Sequence, residues 1–155
     1  MTLEERIKVL EDIEAIKKLH ITYLNKLIAL DWDGVLDCFS EDCSISMSSG
    51  SAEGKEAVAR HFREKVGRHH IGQESPFVTH PLIEVDGDTA RGTWLLKIEF
   101  ALPRKMNPKL PETPTDDAPD WVEGFHEMEY VRENGDWKIK SLYWRRRVFS
   151  LGYNT

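Results

Sequence analysis

The stretch from Trp121 to Val148 constrains this chain more than any other. Trp121–Arg132 predicts one β-strand and Trp137–Val148 the next, joined by Glu133-Asn134-Gly135-Asp136. Asn and Gly both tolerate the positive φ that a tight hairpin turn demands, so Asn-Gly between two β-rich runs is a strong hairpin signal. Side chains alternate across a strand. Phe125, Glu127, Glu129 and Val131 therefore share one face, and Gly124, His126, Met128 and Tyr130 share the other. The glutamates mark the first face as wet. His126 is then an imidazole aimed at an otherwise apolar interior. It reads either as a core histidine hydrogen-bonded to backbone or as a centre of chemistry.

The N-terminal third is helical. Thr2 and Glu5 have the spacing of a capping box. Leu3, Ile7, Leu10, Ile13, Ile16, Leu19, Tyr23, Leu27 and Leu30 follow at helical spacing, which predicts one long helix with a kink or break near Asp12. Tyr23 lies on the apolar stripe, as a core tyrosine or as a phenol lining a pocket. His20 lies beside the stripe and reads as a boundary residue. Asp31 suits the N-cap of a short helix over Trp32–Phe39. A strand over Cys43–Met47, a Ser/Gly loop from Ser48 to Gly54 and a third helix over Lys55–Val66 come next.

Long strands take over after Ser75. Phe77–Val85 is expected at an edge or with a bulge, because Pro81 cannot donate to a ladder. Asp86-Gly87-Asp88 turns the chain into a strand over Thr89–Leu102, whose inner face is Ala90, Gly92, Trp94, Leu96, Ile98 and Phe100. Gly92 on that face predicts close packing. Residues 103–119 hold five of the chain's seven prolines and no periodicity. A connection of that length is expected to be a lid, a binding loop or disorder. Segregated helices and antiparallel strands make the class α+β, a curved antiparallel sheet wrapped on a long helix and two shorter ones, in a single domain over 1–155.

Composition narrows the partners. A net charge of −6 gives no footprint for nucleic acid or for an anionic membrane. No apolar run approaches the ~20 residues of a membrane span. The N-terminus lacks signal-peptide character, and Cys38 and Cys43 have neither metal spacing nor a disulfide framework, so a cytoplasmic protein with reduced thiols is expected. No metal is expected. Asp31, Asp33, Asp37 and Asp42 lack the spacing of a calcium loop, and the adjacent His69 and His70 cannot share a face.

Taken together, these patterns resemble the SnoaL-like group of the nuclear transport factor 2-like superfamily. The resemblance rests on Ile13-Glu14-Ala15-Ile16, on Tyr23 with Asp31-Trp32-Asp33 and Phe39, and on the helix start Gly54-Lys55-Glu56-Ala57-Val58. It continues through Ile83-Glu84-Val85-Asp86-Gly87-Asp88-Thr89-Ala90 and Asn134-Gly135-Asp136-Trp137-Lys138-Ile139, covering roughly residues 5–148. It implies an α+β cone around an apolar pocket, often paired with a second copy through the sheet, and a small hydrophobic molecule as partner. Among such proteins the chain looks most like scytalone dehydratase and the bile-acid dehydratases, which abstract a proton with an Asp–His pair and no cofactor. The position of their acid is Ile28 here. That of their histidine is Pro76 in an ungapped match, while a gapped one brings in His70 or His80.

What the resemblance carries over is therefore a cofactor-free lyase or isomerase built on other groups. His126 is its general base, Tyr23 its hydrogen-bonding phenol and Arg146 the cation beside a developing enolate. Trp94, Phe100, Met128, Trp144 and His80 are expected to hold the ligand. Strict alternation would put Arg146 with Leu142 and Trp144, opposite Ile139, so a bulge is needed to bring Arg146 inward. The alternative is a non-catalytic hydrophobe-binding or dimerisation module of the same fold, the Asp–His dyad being absent.

Overall fold

The computed structural model describes residues 1–68, 74–100 and 119–151, without the side chains at 68, 100, 119, 120 and 149–151. The proline-rich stretch and His70 thus lie outside the described residues, except for the backbone at 119. Helix α1 runs unbroken over Leu3–Ile28, with both arms of the capping box made between Thr2 and Glu5. The kink expected near Asp12 does not occur. Asp12 is instead turned inward, where Arg132 and Trp137 take its carboxylate. The buried line on α1 is Asp12, Ile16, His20, Tyr23, Leu24 and Leu27. Leu3, Ile7 and Leu10 are exposed, because the first turns of α1 do not face the sheet.

Asp31 caps α2 (Trp32–Asp37) through Gly34 N, and the helix stops before Phe39, where β1 (Phe39–Met47) already begins. Phe39 is wholly buried, so it serves the sheet and not the helix. The expected Ser/Gly loop contains a short strand, β2 (Gly50–Glu53), paired with β1. Helix α3 covers Lys55–Glu64 and gives way to a single 3₁₀ turn over Val66–Arg68. Strands β3 (Glu74–Asp86), β4 (Thr89–Phe100), β5 (Pro119–Glu133) and β6 (Asp136–Leu151) complete one sheet, ordered β2-β1-β6-β5-β4-β3. β1 runs parallel to β6; the other pairings are antiparallel.

Three of the sheet's register irregularities bear on the site. On the edge strand β3 the register slips between Thr79 and Leu82, at the proline, and His80 takes φ 52°. A bulge of this kind bends a strand and increases its twist. On β6 the register slips opposite Glu129/Tyr130, so Ile139 and Leu142 both face the core. Beyond that bulge the alternation sets Trp144 and Arg146 inward and Arg145 and Arg147 outward. Arg145 pairs with Glu127 at 2.6 Å and Arg147 pairs with Glu123, which gives the wet face of β5 its partners. A third slip falls at Glu123/Gly124, where a Cβ on Gly124 would lie 2.2 Å from the Arg145 carbonyl oxygen. Only glycine allows that approach.

The core lies between α1, α3 and the concave side of the sheet. Tyr23 lies edge-on to both Phe39 and Phe62, which are tilted against each other, with ring centroids 5.7–6.3 Å apart. Each such pair contributes about 0.5–1.5 kcal/mol beyond the area it buries. No helix among the described residues is long and apolar enough to cross a membrane.

Candidate active site

A cavity of about 340 Å³ opens between α1, the β1–β2 turn and the inner faces of β4, β5 and β6. Leu24, Leu27, Leu96, Ile98, Val122 and Trp144 supply most of its apolar wall. Its polar groups come from Tyr23, His126, Arg146, Ser48 and Ser49. No carboxylate lines it among the described residues.

Tyr23 and His126 reach the cavity from opposite layers, with ring centroids 6.3 Å apart. Tyr23 is wholly buried, yet its hydroxyl has no hydrogen-bond partner among the described residues. Leaving a buried hydroxyl unpaired costs roughly 1–3 kcal/mol, so this phenol is poised to bond whatever enters. Burial, with a smaller contribution from Cys38, raises its pKa and keeps it a neutral O–H. The His126 imidazole is likewise buried, which pushes its pKa down to about 3 and leaves it neutral at pH 7.

Behind His126 stands a chain of polar side chains that the sequence did not reveal. His126 Nδ1 lies 3.3 Å from His20 Nε2. His20 Nδ1 lies 3.0 Å from Tyr130 Oη, and Trp94 Nε1–H donates to that oxygen at 2.9 Å. The His20 ring also stacks on the Trp94 indole at 4.3 Å. His20 is therefore no boundary residue: it is wholly buried, and burial first, then the nearby His126, lowers its pKa. The signal was present in the spacing Ile16, His20, Tyr23, Leu24, Leu27, which forms a narrower stripe than the one drawn through the leucines of the first turns. Tyr130 was assigned to the inner face correctly but not to this chain of contacts.

The other expected ligand residues are dispersed. Trp144 lines the cavity, edge-on to His126 at 5.7 Å. Arg146 lines it too, carried inward by the bulge on β6. Trp94 and Met128 lie in the packed core beside it, Trp94 acting through Tyr130. His80 is exposed on the β3 bulge, bonded to Thr79 Oγ1, and does not line the cavity. The Phe100 side chain lies outside the described residues. Pro76 is part of the wall, whereas Ile28 is exposed at the end of α1.

One further pair went unread. Ser49, on the cavity wall, holds its Oγ 2.8 Å from His61 Nε2 on α3. Among the described residues no group of histidine, cysteine or carboxylate side chains is arranged to hold a metal ion. Three of the four aspartates in the apparent cluster stand in ordinary ion pairs, Asp31 with Lys26, Asp33 with Arg63 and Asp42 with Lys140.

Known proteins agree with this architecture. A hexachlorocyclohexane dehydrochlorinase from Novosphingobium barchaimii superposes with a TM-score of 0.74 at 18% identity, over 94% of this chain and 93% of that one. A scytalone dehydratase-like protein from Novosphingobium aromaticivorans gives 0.74 at 20% identity, over 94% and 91%. A protein of the nuclear transport factor 2-like group with a cystatin-like fold, from the same species, gives 0.71 at 17%, over 99% and 90%. At these identities the likeness is one of fold. No curated protein matches the chain. The profile of the SnoaL-like domain matches residues 8–143, and the chain belongs to that family.

Proposed function

We propose that the chain is a cofactor-free lyase or isomerase of dehydratase type. Its substrate is a small apolar ring compound that enters the cavity and reacts at a carbon next to a carbonyl. The observation that carries this reading is a neutral imidazole, His126, on an apolar wall opposite the unpartnered hydroxyl of Tyr23. Preorganised polar groups in a dry cavity act strongly on charge that develops in a transition state. Arg146, on the same wall, suits a developing enolate. Two of the proteins that share the fold have names denoting loss of HCl or water, both eliminations. A neutral imidazole serves such chemistry in one of two ways, by taking the substrate's proton or by polarising its carbonyl. The nitrogen that holds the hydrogen decides between them.

The test is a panel of cyclic β-hydroxy ketones incubated with the protein in D₂O and followed by NMR. The expected result is loss of water, or deuterium exchange beside the carbonyl, slowed about 10²–10⁴-fold by His126→Ala with the near-UV circular dichroism retained. A wall without a carboxylate among the described residues, with Ile28 exposed and Pro76 in place of a histidine, favours a second reading, a binding module of the same fold. Native mass spectrometry showing a retained hydrophobe, with no exchange in any panel member, would establish that reading instead. The proposal extends to a cytoplasmic homodimer joined through the outer sheet face. Two buried free thiols suit a reducing compartment, and sedimentation velocity measures the pairing.

A further inference from the structure

The side chains behind His126 form a line of hydrogen bonds whose direction can be worked out from its far end. Trp94 Nε1 is a donor only. Its hydrogen goes to Tyr130 Oη at 2.9 Å. The Tyr130 hydroxyl has its own hydrogen to place, and among the described residues the one acceptor within reach is His20 Nδ1 at 3.0 Å. His20 Nδ1 is then bare, so in the neutral ring the hydrogen sits on Nε2. That Nε2–H points at His126 Nδ1, 3.3 Å away. His126 Nδ1 is then bare in its turn, and its hydrogen sits on Nε2, the nitrogen left for the cavity. Running the line the other way would make Tyr130 accept from both Trp94 and His20 and would strand a buried hydroxyl hydrogen. The cost of one unpaired buried donor biases the line roughly tenfold to a hundredfold toward the first direction.

We infer that Trp94, Tyr130 and His20 are positioning residues that hold His126 as an Nε2–H donor, so that the cavity selects a ligand ending in an acceptor oxygen, a carbonyl above all. The inference deepens the function proposed above by naming the substrate's polar end in the same cavity. Two features agree with it. Tyr23 offers a second neutral O–H, buried and unpartnered, and Arg146 offers further donors on the same wall. Burial also keeps both histidine rings neutral, as a fixed tautomer requires. In this arrangement His126 polarises the carbonyl. A neutral imidazole plays that part in triosephosphate isomerase, where it acts as electrophile and not as base.

The experiment is long-range ¹H–¹⁵N correlation on the full chain labelled at its six histidines, without ligand at pH 7. His20→Gln and His126→Gln assign the signals. The expected result is two neutral rings, each protonated at Nε2. An Nδ1–H tautomer or an imidazolium at His126 would overturn the inference, whether or not the protein turns over a substrate. Tyr130→Phe removes the hydroxyl that sets the direction, and the Nδ1–H tautomer of His126 is expected to appear. A purely structural role for Tyr130 would leave the tautomer unchanged. The ligand class is tested in the unmodified protein with 1-tetralone against tetralin, which match in size but differ in the acceptor oxygen. Binding at least tenfold tighter for the ketone, with a shift of the His126 Nε2–H resonance, is expected; equal binding overturns the ligand class. Neither probe eliminates water, so a failed search for substrates leaves this result intact and counts only against the reaction proposed above.

Discussion

Asp12 of α1 and Arg132 at the end of β5 meet at 2.6 Å, although 120 residues separate them in sequence. Trp137 Nε1 donates to the same carboxylate oxygen at 3.0 Å, and Arg132 also reaches Asp88 at 2.9 Å. The carboxylate thus joins the long helix to both strands of the last hairpin. Burial works to raise its pKa, but the bonds from Arg132 and Trp137 and the Arg132 charge outweigh it, and the pKa is lowered. Removing one partner of a buried ion pair strands the other. Asp12→Ala is expected to cost about 3 kcal/mol, the low end of that range, because Arg132 keeps Asp88. Urea unfolding measures it; a loss below 0.5 kcal/mol would show the contact to be incidental.

The two inner histidines predict the pH dependence of stability. Both have folded pKa values below that of the unfolded chain, near 6.5. Below that value the unfolded chain binds the extra protons, so stability is full above about pH 6.5 and falls as pH drops. Each such histidine contributes a slope of about 1.4 kcal/mol per pH unit. Asp12, Asp31 and Asp42, with lowered values, titrate only below about 3.8. Between pH 6 and 4.5, His126→Gln is expected to remove about 1.4 kcal/mol per unit from the slope seen in denaturation curves. An unchanged slope would mean that His126 is already charged in the fold.

Tyr23 carries a trade between stability and binding. Its hydroxyl is the one buried side-chain polar atom among the described residues without a partner. Tyr23→Phe removes that unpaired group and is expected to stabilise the protein by roughly 1 kcal/mol. The same change should weaken 1-tetralone binding several-fold. Thermal unfolding and a ligand titration read the two effects, and loss of stability would reveal a partner for the hydroxyl.

Gly92 faces the ring of Tyr130. A Cβ there would lie 2.9 Å from Tyr130 Cε2 and 3.3 Å from Trp94 Nε1. Both rings are buried and hydrogen-bonded to each other, so neither can move cheaply. Gly92→Ala is expected to cost about 1–3 kcal/mol, as overpacking does, and to disturb the His126 tautomer together with stability. A neutral effect on both would mean that the sheet relaxes at β4.

Much of the fold could be read without coordinates, because periodicity and turn chemistry are local. The Asn134-Gly135 turn, the alternation of β5 and the proline-marked irregularity on β3 all depend on near neighbours. Even the bulge on β6 could be anticipated, since Ile139 and Arg146 could not otherwise both face inward. What stayed hidden depends on distant partners. His20 looks like a boundary residue until Tyr130, 110 positions away, is set against it. The first turns of α1 carry as good an apolar stripe as the buried ones, and only the position of the sheet separates them. Ser49 and His61 belong to a loop and a helix that no spacing rule connects. The parallel pairing of β1 with β6 is likewise a matter of where the helices return the chain.

The β5–β6 hairpin sets His126, Trp144 and Arg146 on the wall by pairing between neighbouring strands, but the nitrogen that orders the His126 hydrogen arrives on α1. Local opening of that helix would leave the hairpin whole and free the imidazole to exchange between its two neutral forms. Protection of the α1 amides against hydrogen exchange should therefore follow the single-tautomer state of His126, so that the breathing of a helix sets how long the cavity keeps its polarity.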